Sequence, residues 1–194
     1  VEEQPVSKGR RARTDERLAG AVRVLIAESG YAALTIEKVA AASGVAKTTI
    51  YRRWASKAEM VLGTVIHPAG LGEVPDTGSL AGDVAALAEQ AVALIMREPA
   101  RSAVPGLLAD MTSDPALAAR LRESFDAARE EISAVLERAA RRGEIGEHAD
   151  LKGFHAALLG IPFVGAHLQG RADEEAAVSA LTRQLLAILG AGSA

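Results

Sequence analysis

Apolar residues recur along this chain at the three- and four-residue spacing of helices, and no run alternates as a half-buried strand would. Leu18, Val22, Leu25 and Ile26 give one face to a first helix, which Asp15 is placed to cap and Gly30 to stop near residue 29. Thr35 caps a short second helix carrying Ile36, Val39 and Ala40, Ser43-Gly44 makes a turn, and a third helix is predicted over 46–54. Ser56, with Glu59 three residues on, opens a fourth helix as a capping box. Pro68, Gly70, Gly72, Pro75 and Gly78 then mark a loop on the border between two parts of the chain. Beyond it, helices are predicted over 79–97, 100–111, 113–142, 150–168 and 173–189, and Pro162 should bend or interrupt its own. The expected fold class is all-α. Residues 1–13 read as a mobile arm, 14–62 as a small helical domain and 63–194 as a larger one.

Composition narrows the chemistry. Of 194 residues, 49% are hydrophobic and 24% charged, which supports a sizeable core and excludes wholesale disorder. The absence of cysteine excludes disulfides, thiolate metal sites and cysteine nucleophiles. Three of the six aromatic residues lie beyond residue 54, so the larger domain must pack mainly Ala, Leu, Val and Ile. No stretch approaches ~20 uncharged apolar residues, which argues against a membrane span. The first residues lack the apolar stretch of a signal peptide, and the expected location is cytoplasmic. Charge is unevenly spread: residues 1–60 hold 11 Lys and Arg against 7 Asp and Glu, and the rest 11 against 18. A basic head on an acidic body suggests that one end meets a polyanion.

The segment 35–57 gives that polyanion a structural counterpart. Two short helices joined by a tight turn make a helix-turn-helix. Ala40 is small where the helices should cross, Gly44 suits a turn needing positive φ, and Val45 and Ile50 can pin the third helix inward. That helix would expose Lys47, Thr48, Arg52 and Arg53, each able to reach a phosphate or a base edge in a major groove. Arg10, Arg11 and Arg13 in the arm either lie along phosphates or a minor groove, or form an inert basic terminus.

The run from Thr35 to Lys57, with Gly30-Tyr31 before it, resembles the DNA-binding domain of the TetR family of bacterial regulators. The resemblance is strong over about residues 12–62 and looser in the helical remainder. It implies a homodimer whose subunits each join a three-helix head to a helical body holding a small-molecule pocket. It also implies that Thr35, Tyr51 and Lys57 touch phosphates, and that Lys47, Thr48, Thr49 and Arg52 meet bases and nearby backbone. Three positions depart from the family pattern: Ala46 where Ser is frequent, Arg53 where His is frequent, and Trp54 where Phe is frequent. Arg53 is expected to bind phosphate in place of that His, and Trp54 to be core.

The body carries no G-x-S-x-G, Walker loop or H-E-x-x-H, and its histidines are scattered, so no catalytic set, metal site or cofactor is expected. Leu107, Leu108, Met111, Leu121, Phe125, Phe154, His155 and Leu158 are candidates to line a ligand pocket, or plain core. A pocket so lined favours a mostly apolar ligand over a flat polycyclic cation. Leu159, Phe163, Val178, Leu181, Leu185 and Ile188 form apolar stripes on the last two helices, read as the dimer interface. The function expected is a ligand-responsive regulator, most simply a repressor, on a pseudo-palindromic operator. The alternatives are a DNA-binding dimer without a ligand, and a helical enzyme or carrier resembling the fold.

Overall fold

Short polar side chains meet the free amide groups at the start of most helices. Thr35 Oγ1 accepts from the Lys38 N–H at 3.2 Å and Ser56 Oγ from that of Glu59 at 3.1 Å. Ser79, Asp150 and Asp173 do the same further along, and Asp114 Oδ1 accepts from the Ala116 and Leu117 N–H groups. In the computed structural model, which describes the backbone of residues 5–67, 76–146 and 149–190 and side chains from residue 12 on, these caps organise an all-helical chain with no strand among the described residues. The helices are α1 (Pro5–Ser29), α2 (Ile36–Ser43), α3 (Lys47–Tyr51), α4 (Lys57–Val61), α5 (Leu80–Met96), α6 (Ala100–Asp110), α7 (Pro115–Arg141), α8 (Leu151–His167) and α9 (Glu174–Ile188), with one π-helical turn, Leu62–Ile66, after α4.

The sequence-based boundaries hold within a residue or two for α5 to α9, and three expectations need correction. Helix α1 begins at Pro5, ten residues before Asp15, because residues 5–14 are mostly tolerable helix formers and proline suits a first turn. The backbone of 5–13 is thus helix rather than arm; the side chains of Arg10 and Arg11 lie outside the described residues, as does most of the loop read between Pro68 and Pro75. Helix α3 is short, its turn continuing through Arg53 without regular helix. Helix α8 is not interrupted at Pro162, which sits inside it with its ring buried.

The chain forms two compact units: Val1–Pro68 with Glu98–Ala118, and Ala69–Arg97 with Ala119–Ala194. Helix α6, read from sequence as part of the body, therefore packs with the head. In the first unit Leu18, Val22, Ile26, Leu34, Val39, Ile50 and Met60 are buried. Gly106 of α6 lets the Tyr31 ring lie directly on its backbone, and the Tyr31 hydroxyl donates to Asp110 Oδ2 at 2.5 Å.

The second unit packs α5, α8, α9 and most of α7 around Leu87, Ala91, Ile132, Val135, Phe154, Leu158, Leu181 and Leu185. A polar network closes the start of α5. Asp83, fully buried, accepts from the Thr77 N–H and hydroxyl, both at 2.8 Å, and from Arg142 Nη2 at 3.3 Å. Burial pushes the Asp83 carboxyl up, but these donors outweigh it and hold the group below the usual carboxylate range. Glu144 accepts from the Leu80 N–H and from Arg142 Nε, so the far end of α7 is tied to the first turn of α5.

Candidate nucleic-acid interface

The exposed face of α3 follows from the way α2 and α3 are joined. Gly44 ends α2 at φ +63°, a left-handed conformation that glycine adopts without strain. Arg17 of α1 donates to the Ser43 carbonyl, and the Val45 N–H donates to Ser43 Oγ at 3.3 Å. Ile36, Val39, Val45 and Ile50 turn inward. With Ile50 fully buried, the other side of α3 faces out: Lys47, Thr48, Tyr51 and Arg52 are exposed and Thr49 is half-buried. Thr35 caps α2 and is itself exposed, so its hydroxyl group can serve the helix and still lie near a phosphate. Arg13 is exposed as well.

Two expected phosphate ligands are occupied within the head. Arg53 forms an ion pair with Asp15 of α1, and only 16% of its side chain is exposed. Lys57 sits over the Tyr31 ring, 4.2 Å from its centroid, with Nζ 3.4 Å from the Tyr31 carbonyl oxygen. Neither partner was legible locally, because each contact crosses more than 25 residues of sequence. Trp54, expected to be core, is half-buried, with its indole against Gly63. Arg52→Ala should therefore weaken DNA binding and flatten its salt dependence, whereas Arg53→Ala should mainly cost the head stability, on the order of 1 kcal/mol. Salt titrations of binding alongside urea melts of both variants check this contrast.

The expected pocket residues fall in both compact units. Leu107, Leu108 and Met111 belong to the first unit; Leu121, Phe125, Phe154, His155 and Leu158 belong to the second. Phe154 and Leu158 are wholly buried in its core. A cavity of about 190 Å³ in that unit is lined instead by Leu136, Ala140, Ile145, Leu151 and their neighbours. Leu181 and Leu185 are also core, at 1% and 0% exposure, and have no surface to offer a partner. Leu159, Phe163 and Val178 are half-buried and Ile188 is exposed.

His155 is buried, its ring 4.1 Å from that of Phe125, and neither ring nitrogen has a hydrogen-bonding partner among the described residues. Burial, then the nearby Arg129 charge, push its pKa below the ordinary value, against a smaller opposing pull from Asp126. The unfolded chain therefore takes up this proton more readily. Stability present above about pH 6.5 should fall as pH drops below that value toward the folded-state pKa. His155→Leu should flatten that decline between pH 6.5 and 5. Urea midpoints across this range provide the measurement, above the pH at which Asp83 and Glu144 begin to protonate.

Residues 18–64 match the family described as bacterial regulatory proteins, tetR family, and residues 74–185 match the Tetracyclin repressor-like C-terminal domain. An HTH-type transcriptional regulator of Mycobacterium tuberculosis is 39% identical over 143 residues, 71% of this chain and 67% of that one. The DNA-binding transcriptional repressor TetR of Mycobacteroides abscessus is 36% identical over 145 residues, covering 71% and 73%. Among solved structures, the TetR family transcription regulator SCO0332 superposes with a TM-score of 0.71 at 28% identity, over 90% of this chain and 97% of that one. FadR from Bacillus subtilis, in complex with stearoyl-CoA, shares the fold with a TM-score of 0.65 at 18% identity, over 91% and 98%.

Proposed function

The chain belongs to the TetR family of DNA-binding transcriptional regulators, and from that premise we propose that it acts as a homodimeric repressor on a pseudo-palindromic operator and is released by a small, mostly apolar ligand. The carrying observation is the division of α3 into a buried Ile50 and an exposed row of Lys47, Thr48, Tyr51 and Arg52. In a twofold dimer, two such helices would enter successive major grooves about 34–36 Å apart. The apolar residues that α8 and α9 leave uncovered favour these helices as the contact between copies: Leu168 is 71% exposed, and Val164 and Ile188 about 40%. Selection of genomic fragments by the purified protein at near-physiological salt tests the reading. One inverted-repeat motif supports it, and recovery of unrelated fragments with and without candidate ligands refutes it.

For the ligand, the support is a body short of aromatic rings, which favours an aliphatic chain over a flat aromatic compound, with the His155 ring nitrogens suited to a polar group of such a ligand rather than to its chain. An aliphatic ligand of the acyl-CoA class, as held by FadR from Bacillus subtilis, suits such surroundings. Binding would release DNA only through unequal affinity for the DNA-competent and incompetent forms. Operator complexes challenged with acyl-CoAs of increasing chain length should dissociate at a preferred length. Dissociation independent of chain length would reject the acyl class.

A further inference from the structure

Lys47, the first residue of α3, places Nζ 3.1 Å from Oε1 of Glu37, the second residue of α2. Their side chains are 52% and 56% exposed, a setting in which an ion pair adds little stability. A carboxylate beside a helix that faces a polyanion is unfavourable unless a specific contact offsets the repulsion. We propose that Glu37 and Lys47 act as one reader of a G·C base pair in the major groove, with Lys47 donating to guanine O6 and N7 and Glu37 accepting from the cytosine amino group. The inference rests on the operator-binding reading above and adds a base-reading residue on α2.

The geometry of the base pair supports this choice. Guanine O6 and cytosine N4 are hydrogen-bonded to each other, so they lie about 3 Å apart. That spacing matches the separation of the two side-chain heads. Across the major groove a G·C pair presents two acceptors and then one donor. A cation and a carboxylate side by side complement that order. An A·T pair sets its donor between two acceptors and adds the thymine methyl group. A carboxylate on adenine N6 would therefore face an acceptor that Lys47 does not cover. Glu37 is also well suited to remain an acceptor: its own backbone N–H, and then Lys47, hold its carboxyl below the usual range.

The test measures binding of wild type, Glu37→Ala, Lys47→Ala and the double variant. The DNA set is the selected operator and its symmetric derivatives, with each half-site base pair changed to the other three. Wild type should lose about tenfold or more when one particular G·C pair is replaced. Glu37→Ala and Lys47→Ala should each relax that same position and no other, and the double variant should relax it no further. Both side chains are exposed, so the variants should retain the wild-type melting curve. Glu37→Ala binding every sequence tighter by one common factor, with a steeper salt dependence, would overturn the inference and make Glu37 a mask over Lys47. An unchanged profile in Glu37→Ala beside an intact wild-type motif would overturn it too, leaving operator binding in place. A wild type that selects no motif would bring down both.

Discussion

Replacing Phe154 with alanine will lower the stability of the second unit by about 3–5 kcal/mol. Its ring is wholly buried where α5, α7, α8 and α9 meet, among Leu, Val, Ile and Ala side chains. The cost has two parts. The ring loses its favourable transfer from water, and the void left behind persists unless the surroundings collapse into it. Collapse is hindered here because Ala88, Ala91 and Ala139 are already small and already buried. No neighbouring alanine can reach into the space of an aromatic ring. Phe154→Leu should recover most of the loss. Urea unfolding followed by circular dichroism should show a lowered midpoint with an unchanged slope. A cost below about 1 kcal/mol would mean that the four helices close over the void, contrary to the rigid interior expected of close packing.

Gly106→Ala will destabilise the first unit by about 2–3 kcal/mol. A Cβ at that position would lie 2.1 Å from Tyr31 Cδ1 and 2.7 Å from Cε1. The ring cannot swing aside cheaply. Its hydroxyl is held by Asp110, and Lys57 covers the ring. Burial, then Asp110, push the Tyr31 phenol well above its usual range, so it stays a donor at any physiological pH. The control is Gly20→Ala in α1, where nothing lies within 4 Å of the new methyl group and the helix gains about 0.5–1 kcal/mol. Opposite signs for the same chemical change would isolate the steric cause. In a Tyr31→Ala background the Gly106→Ala penalty should largely vanish, since the obstructing ring is gone. A penalty that persists there would place its origin in α6 itself.

What the sequence made legible was whatever is decided within a few residues. The caps at Thr35 and Ser56 are local hydrogen bonds over three residues, and the helices predicted to begin at Ser79, Asp150 and Asp173 do so because those side chains cap them in the same way. The outward row on α3 was readable because Ile50 fixes the inward side of so short a helix. What escaped depends on distant partners. Arg53 looks like a free cation beside Arg52, and only the approach of Asp15, 38 positions earlier, engages it. Leu181 and Leu185 share a helical stripe with Val178 and Ile188, yet the first two face the core of their own chain. Periodicity shows that a stripe must be covered but not by which copy. The start of α1 escaped for another reason: the residues before Asp15 lack an apolar repeat, so nothing in the pattern announced a helix there.

The association of α6 with the head bears on how the protein is made. Its residues are encoded after all of α5, which belongs to the other unit. As the chain leaves the ribosome, α1 to α4 emerge before α5 and α6 and can join their helix-turn-helix. The Tyr31 side chain, however, has neither Gly106 to rest on nor Asp110 to hold it until some forty further residues have been added. The nascent head thus waits, incompletely buried, while α5 is synthesised. A stop codon or a protease cut shortly after residue 68 would release a head lacking part of its own core.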